Sequence, residues 1–150
     1  GPRLLVATRA IVATGSYGPS GFDPRWTVPQ GAEEADGVEG VIHVVRSQIG
    51  HGADWVKIYA DHEWGPNGET EPTFSIAELH AAVETARSSG RFVSSHARGD
   101  EGVRRAILAG VTTIEHADEV TPDVFRMMAQ HGIALCPTVS GTEVGFIREG

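Results

Sequence analysis

Apolar residues recur along this chain with two periods, and the alternation between the periods sets out its elements. Short runs of strand character lie at Leu4–Ala7, Ala10–Ala13, Trp55–Ala60, Phe92–Ser95, Val111–Ile114 and Ile133–Cys136. Between them apolar residues return every three or four positions. Asp36 to Ile49 places Val38, Val41, Ile42, Val45 and Ile49 on one helical stripe, with Gly50 and Gly52 to stop it. Ser75-Ile76-Ala77-Glu78 is a capping box that opens a helix to about Ser88, closed by Gly90. Glu101–Ala109 carries Val103, Ala106 and Ile107 on one stripe, with Gly110 after it. Thr121-Pro122-Asp123 supplies a cap, a first-turn proline and an acid for a last helix to about Gln130, predicted to bury Val124, Phe125 and Met128 with Met127 beside them. Two segments have no period. Residues 14–30 are rich in Gly, Pro, Ser and aromatic side chains, and Asp61–Pro72 contains the turn Gly65-Pro66-Asn67-Gly68. Both read as long loops, the first of the kind that shapes a site or a lid.

Repeated strand–helix units imply an α/β fold: a parallel sheet with helices outside it. Two architectures fit, an open doubly wound sheet and a five-strand segment of a (β/α) barrel. No glycine-rich phosphate fingerprint follows the first strand, which weakens the dinucleotide-binding form of the first. Five strands cannot close a barrel, so the segment would keep exposed edges at both ends.

Length and composition narrow the class. With 150 residues and 40% hydrophobic positions, residues 1–150 are one domain that can bury a core. A net charge of −8 argues against a nucleic-acid partner or an anionic membrane surface. The single cysteine, Cys136, excludes an internal disulfide, and no apolar run approaches the ~20 residues that span a bilayer. A cytoplasmic location is the expectation. The chain opens on Gly1-Pro2-Arg3 rather than on a start residue, which fits equally a true N-terminus lying further upstream and a tag-cleavage scar at Gly1-Pro2.

Three residues concentrate the chemistry. Alternation in Trp55–Tyr59 places Val56 and Ile58 on the helix-covered face and Lys57, with Trp55 and Tyr59, on the other. A lysine inside a buried strand needs compensation for its charge, unless the strand is an edge and the amine reaches solvent. His96 and His116 follow the two strand runs that flank the Glu101–Ala109 helix. Either histidine alone reads more readily as a hydrogen-bonded core or helix-entry residue than as a ligand. Strand, helix, strand is a βαβ unit, however, so both belong to the C-terminal edge of one parallel sheet, where α/β folds hold ligands and metals. Neutral imidazoles are the usual ligands of zinc-like ions. A lysine amine is a poor ligand, but one with a depressed pKa can take up carbon dioxide to form a carbamate. Among the seven histidines, His43, His80 and His131 fall on or just after helices, and His51 ends one. His62 lies near the same edge as Lys57 and can reach the site.

The pattern Gly52-Ala53-Asp54-Trp55-Val56-Lys57-Ile58, then Phe74-Ser75 to Glu78-Leu79, Ser95-His96-Ala97, Ala109-Gly110-Val111 and Ile114-Glu115-His116, resembles the imidazolonepropionase-like amidohydrolases. Within these it is most similar to the branch containing Xaa-Pro dipeptidases (prolidases), and Pro137-Thr138 matches the strand end that follows. The resemblance implies a (β/α)8 TIM barrel, with this chain covering its third to seventh strands. It implies a metal-dependent hydrolase of amide, peptide or cyclic amide bonds, with a binuclear centre of zinc or a similar divalent ion. By position Lys57 matches the bridging carboxylated lysine, and His96 and His116 the two histidines of one metal. Tyr17, Tyr59, His62 and Arg98 are the candidate substrate-binding residues for a small-molecule or dipeptide-like substrate.

The departures also carry expectations. The His-x-His pair of the first barrel strand is absent, and the eighth-strand aspartate that activates water in the family has no counterpart here, so no catalytic base is assigned. Thr14-Gly15-Ser16-Tyr17-Gly18 stands where many relatives carry a glycine-rich segment with a histidine, and Arg98 replaces a frequent histidine or aromatic residue. An incomplete barrel with little activity of its own is expected, either paired with a copy of itself or continued in a longer chain. The alternative is a non-catalytic barrel fragment that serves as a metal-binding or assembly unit.

Overall fold

The parallel sheet implied by the sequence is present, and it has six strands. A computed structural model describes residues 1–19, 21–23 and 25–138. Its elements run β1 (Ala10–Val12), β2 (Ala32–Glu34), α1 (Gly37–Gly50), β3 (Trp55–Tyr59), β4 (Asp61–Glu63), β5 (Thr70–Pro72), α2 (Ile76–Ser88), β6 (Phe92–Gly99), α3 (Asp100–Ala109), β7 (Thr113–Glu119), α4 (Pro122–Gln130) and β8 (Ala134–Cys136). The main sheet is ordered β2-β1-β3-β6-β7-β8 with every pair parallel. Val139 and Ser140, which follow the last strand run, lie outside the described residues.

Several elements differ from the pattern. Leu4–Ala7 is not a strand; Val6 ties it to the start of β3, its carbonyl accepting the N–H groups of Asp54 and Trp55 and its own N–H donating to the Asp54 carboxylate. The added sixth strand, β2, has the sequence Ala-Glu-Glu, too short and too polar to stand out by period. Inside the loop after β3, residues Asp61–Pro72 form the antiparallel hairpin β4–β5 around the predicted turn. The Ser75 capping box closes as predicted, with Ser75 and Glu78 exchanging both bonds. Thr121 instead donates its hydroxyl and its N–H to Asp100, so it ties α4 to the start of α3 rather than capping α4 with its side chain. Gly110 ends α3 in the left-handed conformation, φ 85°, where only glycine is unstrained.

Burial follows the stripes with two corrections. Val41, Val45, Leu79, Val103, Ile107, Val124 and Met128 pack against Val56, Ile58, Val93 and Ile114 of the sheet. Val38 and Phe125, predicted to be buried, are 41% and 40% exposed: Phe125 sits one position off the stripe that faces the strands, and Val38 lies in the first turn of α1, ahead of its buried residues. All helices cover one face of the sheet. The other face, here the inner face, carries Trp55, Lys57, Tyr59, Ser94, His96 and Glu115, all half-buried. Strand β3 has a partner on each side, which removes the edge-strand reading of Lys57.

Candidate metal centre

At the C-terminal ends of β3, β6 and β7 a set of rings converges. Register pairs Lys57 with Ser94, Tyr59 with His96 and His96 with Glu115 across three neighbouring strands. Tyr59 stacks on His96 with ring centroids 4.3 Å apart, and His96 meets His116 edge to face at 4.8 Å. Tyr17, from the long loop after β1, packs edge-on against Tyr59 at 5.3 Å and His62 at 5.6 Å. Lys57 Nζ lies 5.8 Å from the Tyr59 ring centroid, within cation–π range. Five of the predicted site residues beyond Lys57 thus form one continuous cluster: Tyr17, Tyr59, His62, His96 and His116.

His116 reaches this cluster through an irregularity in β7. In a regular strand, side chains two apart share a face, so His116 would point the same way as Ile114, into the helices. The β6–β7 register instead runs Ala97 to His116 and Gly99 to Glu119, giving β7 one extra residue. His116 and Ala117 have φ values of 77° and 52°. Bulges of this kind re-aim a side chain, and left-handed backbone at non-glycine residues stores ~1–3 kcal/mol where a function requires it.

One imidazole has a nitrogen already engaged: Thr138 Oγ1 lies 2.7 Å from His116 Nδ1, leaving Nε2 free. His96 Nε2 faces Asp61 Oδ1 at 3.7 Å, beyond hydrogen-bond distance. Burial, followed by the neighbouring His116 and Lys57, pushes the His96 pKa down to about 3, so its ring is neutral and ready to ligate at neutral pH.

The sequence pattern marks Asp61 only as the start of a loop. It is 1% exposed, and its carboxylate accepts the backbone N–H groups of Arg98 at 2.9 and 3.0 Å and of Gly99 at 2.9 Å. Burial raises its pKa to about 6 against those bonds. Gly102 makes room for it: a Cβ there would lie 2.1 Å from Asp61 Oδ2. No spacing in the sequence links residues 61 and 102, which is why the contact was not legible.

Lys57 Nζ is paired with Glu115 Oε2 at 3.2 Å, and its side chain is 18% exposed. Burial lowers the Lys57 pKa, with the Glu115 charge opposing. Arg98 does not join the rings. Its guanidinium is bound by Asp118 at 3.0 Å, Glu119 at 2.8 Å and Glu63, and these partners, hydrogen bonding to Asp118 first, hold its pKa above the ordinary value. It thereby pins the β4–β5 hairpin, which carries His62, to the ends of β6 and β7.

The donor set bears on whether a divalent ion fits. Among the described residues, no three of His, Cys, Asp and Glu converge as a metal cluster. Two imidazoles are present, and a third donor has to come from Lys57, whose amine becomes an oxygen donor only as a carbamate. With that conversion the set is two nitrogens and an oxygen, a common zinc complement that leaves a position open. Among the described residues no helix is long and apolar enough to cross a membrane.

Comparison with known proteins supports the same reading of the fold. No family model matches the chain. It is 34% identical to ochratoxinase from Aspergillus niger over 151 residues, 97% of this chain and 31% of the relative. Its fold is similar to a Xaa-Pro dipeptidase with bound methionine in the active site, at a TM-score of 0.81 and 32% identity, covering 99% of this chain and 38% of that one. It is also similar to an amidohydrolase, at a TM-score of 0.77 and 32% identity, covering 92% of this chain and 37% of that one. The chain spans about a third of the length of the curated relatives it matches.

Proposed function

We propose that this chain, which belongs to the amidohydrolase family alongside the Xaa-Pro dipeptidases and ochratoxinase, carries one metal's ligand set of a hydrolase that cleaves amide or peptide bonds. The observation that carries the proposal is the convergence of His96 and His116, 4.8 Å apart, achieved by a bulge that turns His116 out of the hydrophobic core. A fold without use for His116 on the inner face has no reason to retain left-handed backbone there.

In this reading His96 offers a ring nitrogen, His116 offers Nε2, and Lys57 offers a carbamate oxygen. A divalent ion such as zinc, when bound, supplies Lewis acidity toward the scissile carbonyl and acidifies water. Thr138 holds the His116 imidazole from behind, the arrangement that fixes ring orientation in metal sites. Tyr17, Tyr59 and His62 provide a wall of rings beside the imidazoles. That wall suits the flat or cyclic portion of a dipeptide-like substrate, which packs on aromatic faces. Arg98 contributes by fixing the hairpin that carries His62.

A second reading, a metal-binding or assembly unit without turnover, is favoured by one observation. Among the described residues no three of His, Cys, Asp and Glu converge as a metal cluster. Cobalt(II) in place of zinc separates the readings. The visible absorption of the cobalt-loaded chain should shift on adding Xaa-Pro dipeptides or N-acyl amino acids if the substrate wall is functional. Bands that ignore both ligand classes support the unit without turnover, and the absence of any cobalt band contradicts a metal site in either reading.

A further inference from the structure

The inner face holds an ordered row of polar side chains next to the imidazoles. Lys57, Ser94 and Thr113 are register partners across β3, β6 and β7, and Glu115 stands two residues after Thr113. Glu115 Oε1 accepts the Ser94 hydroxyl at 2.7 Å and the Thr113 hydroxyl at 3.4 Å, which fixes the carboxylate. Its second oxygen, Oε2, faces Lys57 Nζ at 3.2 Å. One oxygen is anchored to the sheet and the other is presented to the lysine nitrogen.

We infer that Glu115 is the positioning residue for a carbamate on Lys57, a role that rests on the carbamate reading above. Carbamate formation joins the lysine nitrogen to the carbon of carbon dioxide. The N–C bond forms, one C=O electron pair moves onto oxygen, and two protons leave the ammonium nitrogen for solvent. The nitrogen keeps one N–H. In a side chain only 18% exposed, that N–H needs an acceptor, and Glu115 Oε2 already stands at hydrogen-bonding distance from Nζ. Accepting it fixes the rotation of the planar carbamate, and so the direction its two oxygens face. Ser94 and Thr113 hold Glu115 as Glu115 holds Lys57.

The test uses the purified chain with zinc and carbon-13 bicarbonate, integrating the carbamate resonance by carbon-13 NMR in wild type, Glu115→Gln, Glu115→Leu and Ser94→Ala. Glutamine keeps an acceptor of the same shape and should match wild type. Leucine leaves the N–H unpaired and should need about tenfold more bicarbonate for the same occupancy. Circular dichroism reports whether each variant is folded; should Glu115→Leu fail to fold, Ser94→Ala decides, with reduced occupancy expected. Wild-type occupancy in Glu115→Leu, or in Ser94→Ala where that variant decides, overturns the role of Glu115 alone. Glu115→Gln behaving as leucine does overturns it too, by assigning the effect to charge. No carbamate resonance in wild type overturns the carbamate reading itself, and this role with it.

Discussion

Ile114 and Ala117 are both buried against the helices although they lie three positions apart in β7, where regular alternation would put them on opposite faces. The extra residue is what lets Glu115 and His116, neighbours in sequence, both face the inner side, one toward Lys57 and one toward His96. Left-handed backbone at a non-glycine residue is unfavourable, and only glycine adopts it freely.

His116→Gly therefore separates stability from ligation. It should leave the folded chain as stable as wild type, or more stable by up to about 1 kcal/mol, while removing metal binding. Denaturant melts of both proteins in chelator check the first part. A loss of more than about 2 kcal/mol would show that the ring itself, rather than a function, holds the bulge in place.

A second expectation contrasts two helical glycines. Gly102 lies against the buried Asp61 carboxylate, whereas Gly40 of α1 has open space around its Cβ position. Gly102→Ala should destabilise by about 1–3 kcal/mol through overpacking and displacement of a carboxylate that holds the Arg98 and Gly99 N–H groups. Gly40→Ala should stabilise by up to about 1 kcal/mol through helix propensity. Thermal melts of the pair read both; equal effects of the same sign would contradict the role given to Gly102.

Much of the fold was legible because packing and pattern agree. The capping box of α2, the βαβ crossover through α3 and the alternation in β3 all follow local rules, and the structure has each of them. The site was legible where a residue lies on a strand end, as with Lys57, His96 and Tyr59. The bulge that turns His116 inward was not, because an inserted residue leaves no mark on composition; simple alternation would have sent His116 into the helices. Asp61 was missed for a different reason: its partners, Arg98, Gly99 and Gly102, are distant in sequence and meet it only in three dimensions. Arg98 carries a charge that suggested substrate, and three carboxylates around it are visible only once β4 and β7 are side by side.

The pH response follows from His96 and Asp61. With its folded pKa depressed from 6.5 to about 3, His96 refuses a proton that the unfolded chain accepts, so stability falls as pH drops from 6.5 toward 3. Asp61, raised from 3.8 to about 6, acts in the opposite sense: it relieves a cost as pH falls from 6 to 3.8. The two slopes, each up to about 1.4 kcal/mol per pH unit, oppose each other between them, and acid loss resumes below that window. Proton NMR of the metal-free chain should show the His96 ring unshifted from neutral pH to about pH 4. A His96 titration midpoint near the ordinary histidine value would contradict its buried, neutral state.

The central claim is that Lys57, His96 and His116 form one metal site, and equilibrium dialysis against zinc in the presence of bicarbonate tests it most directly. Wild type should retain zinc in a fixed ratio to protein, while His96→Ala, His116→Ala and Lys57→Ala each lose it, by about tenfold or more in affinity. His43→Ala, on the outer surface of α1, should retain it as wild type does. Zinc stoichiometry unchanged in both His96→Ala and His116→Ala would contradict the site.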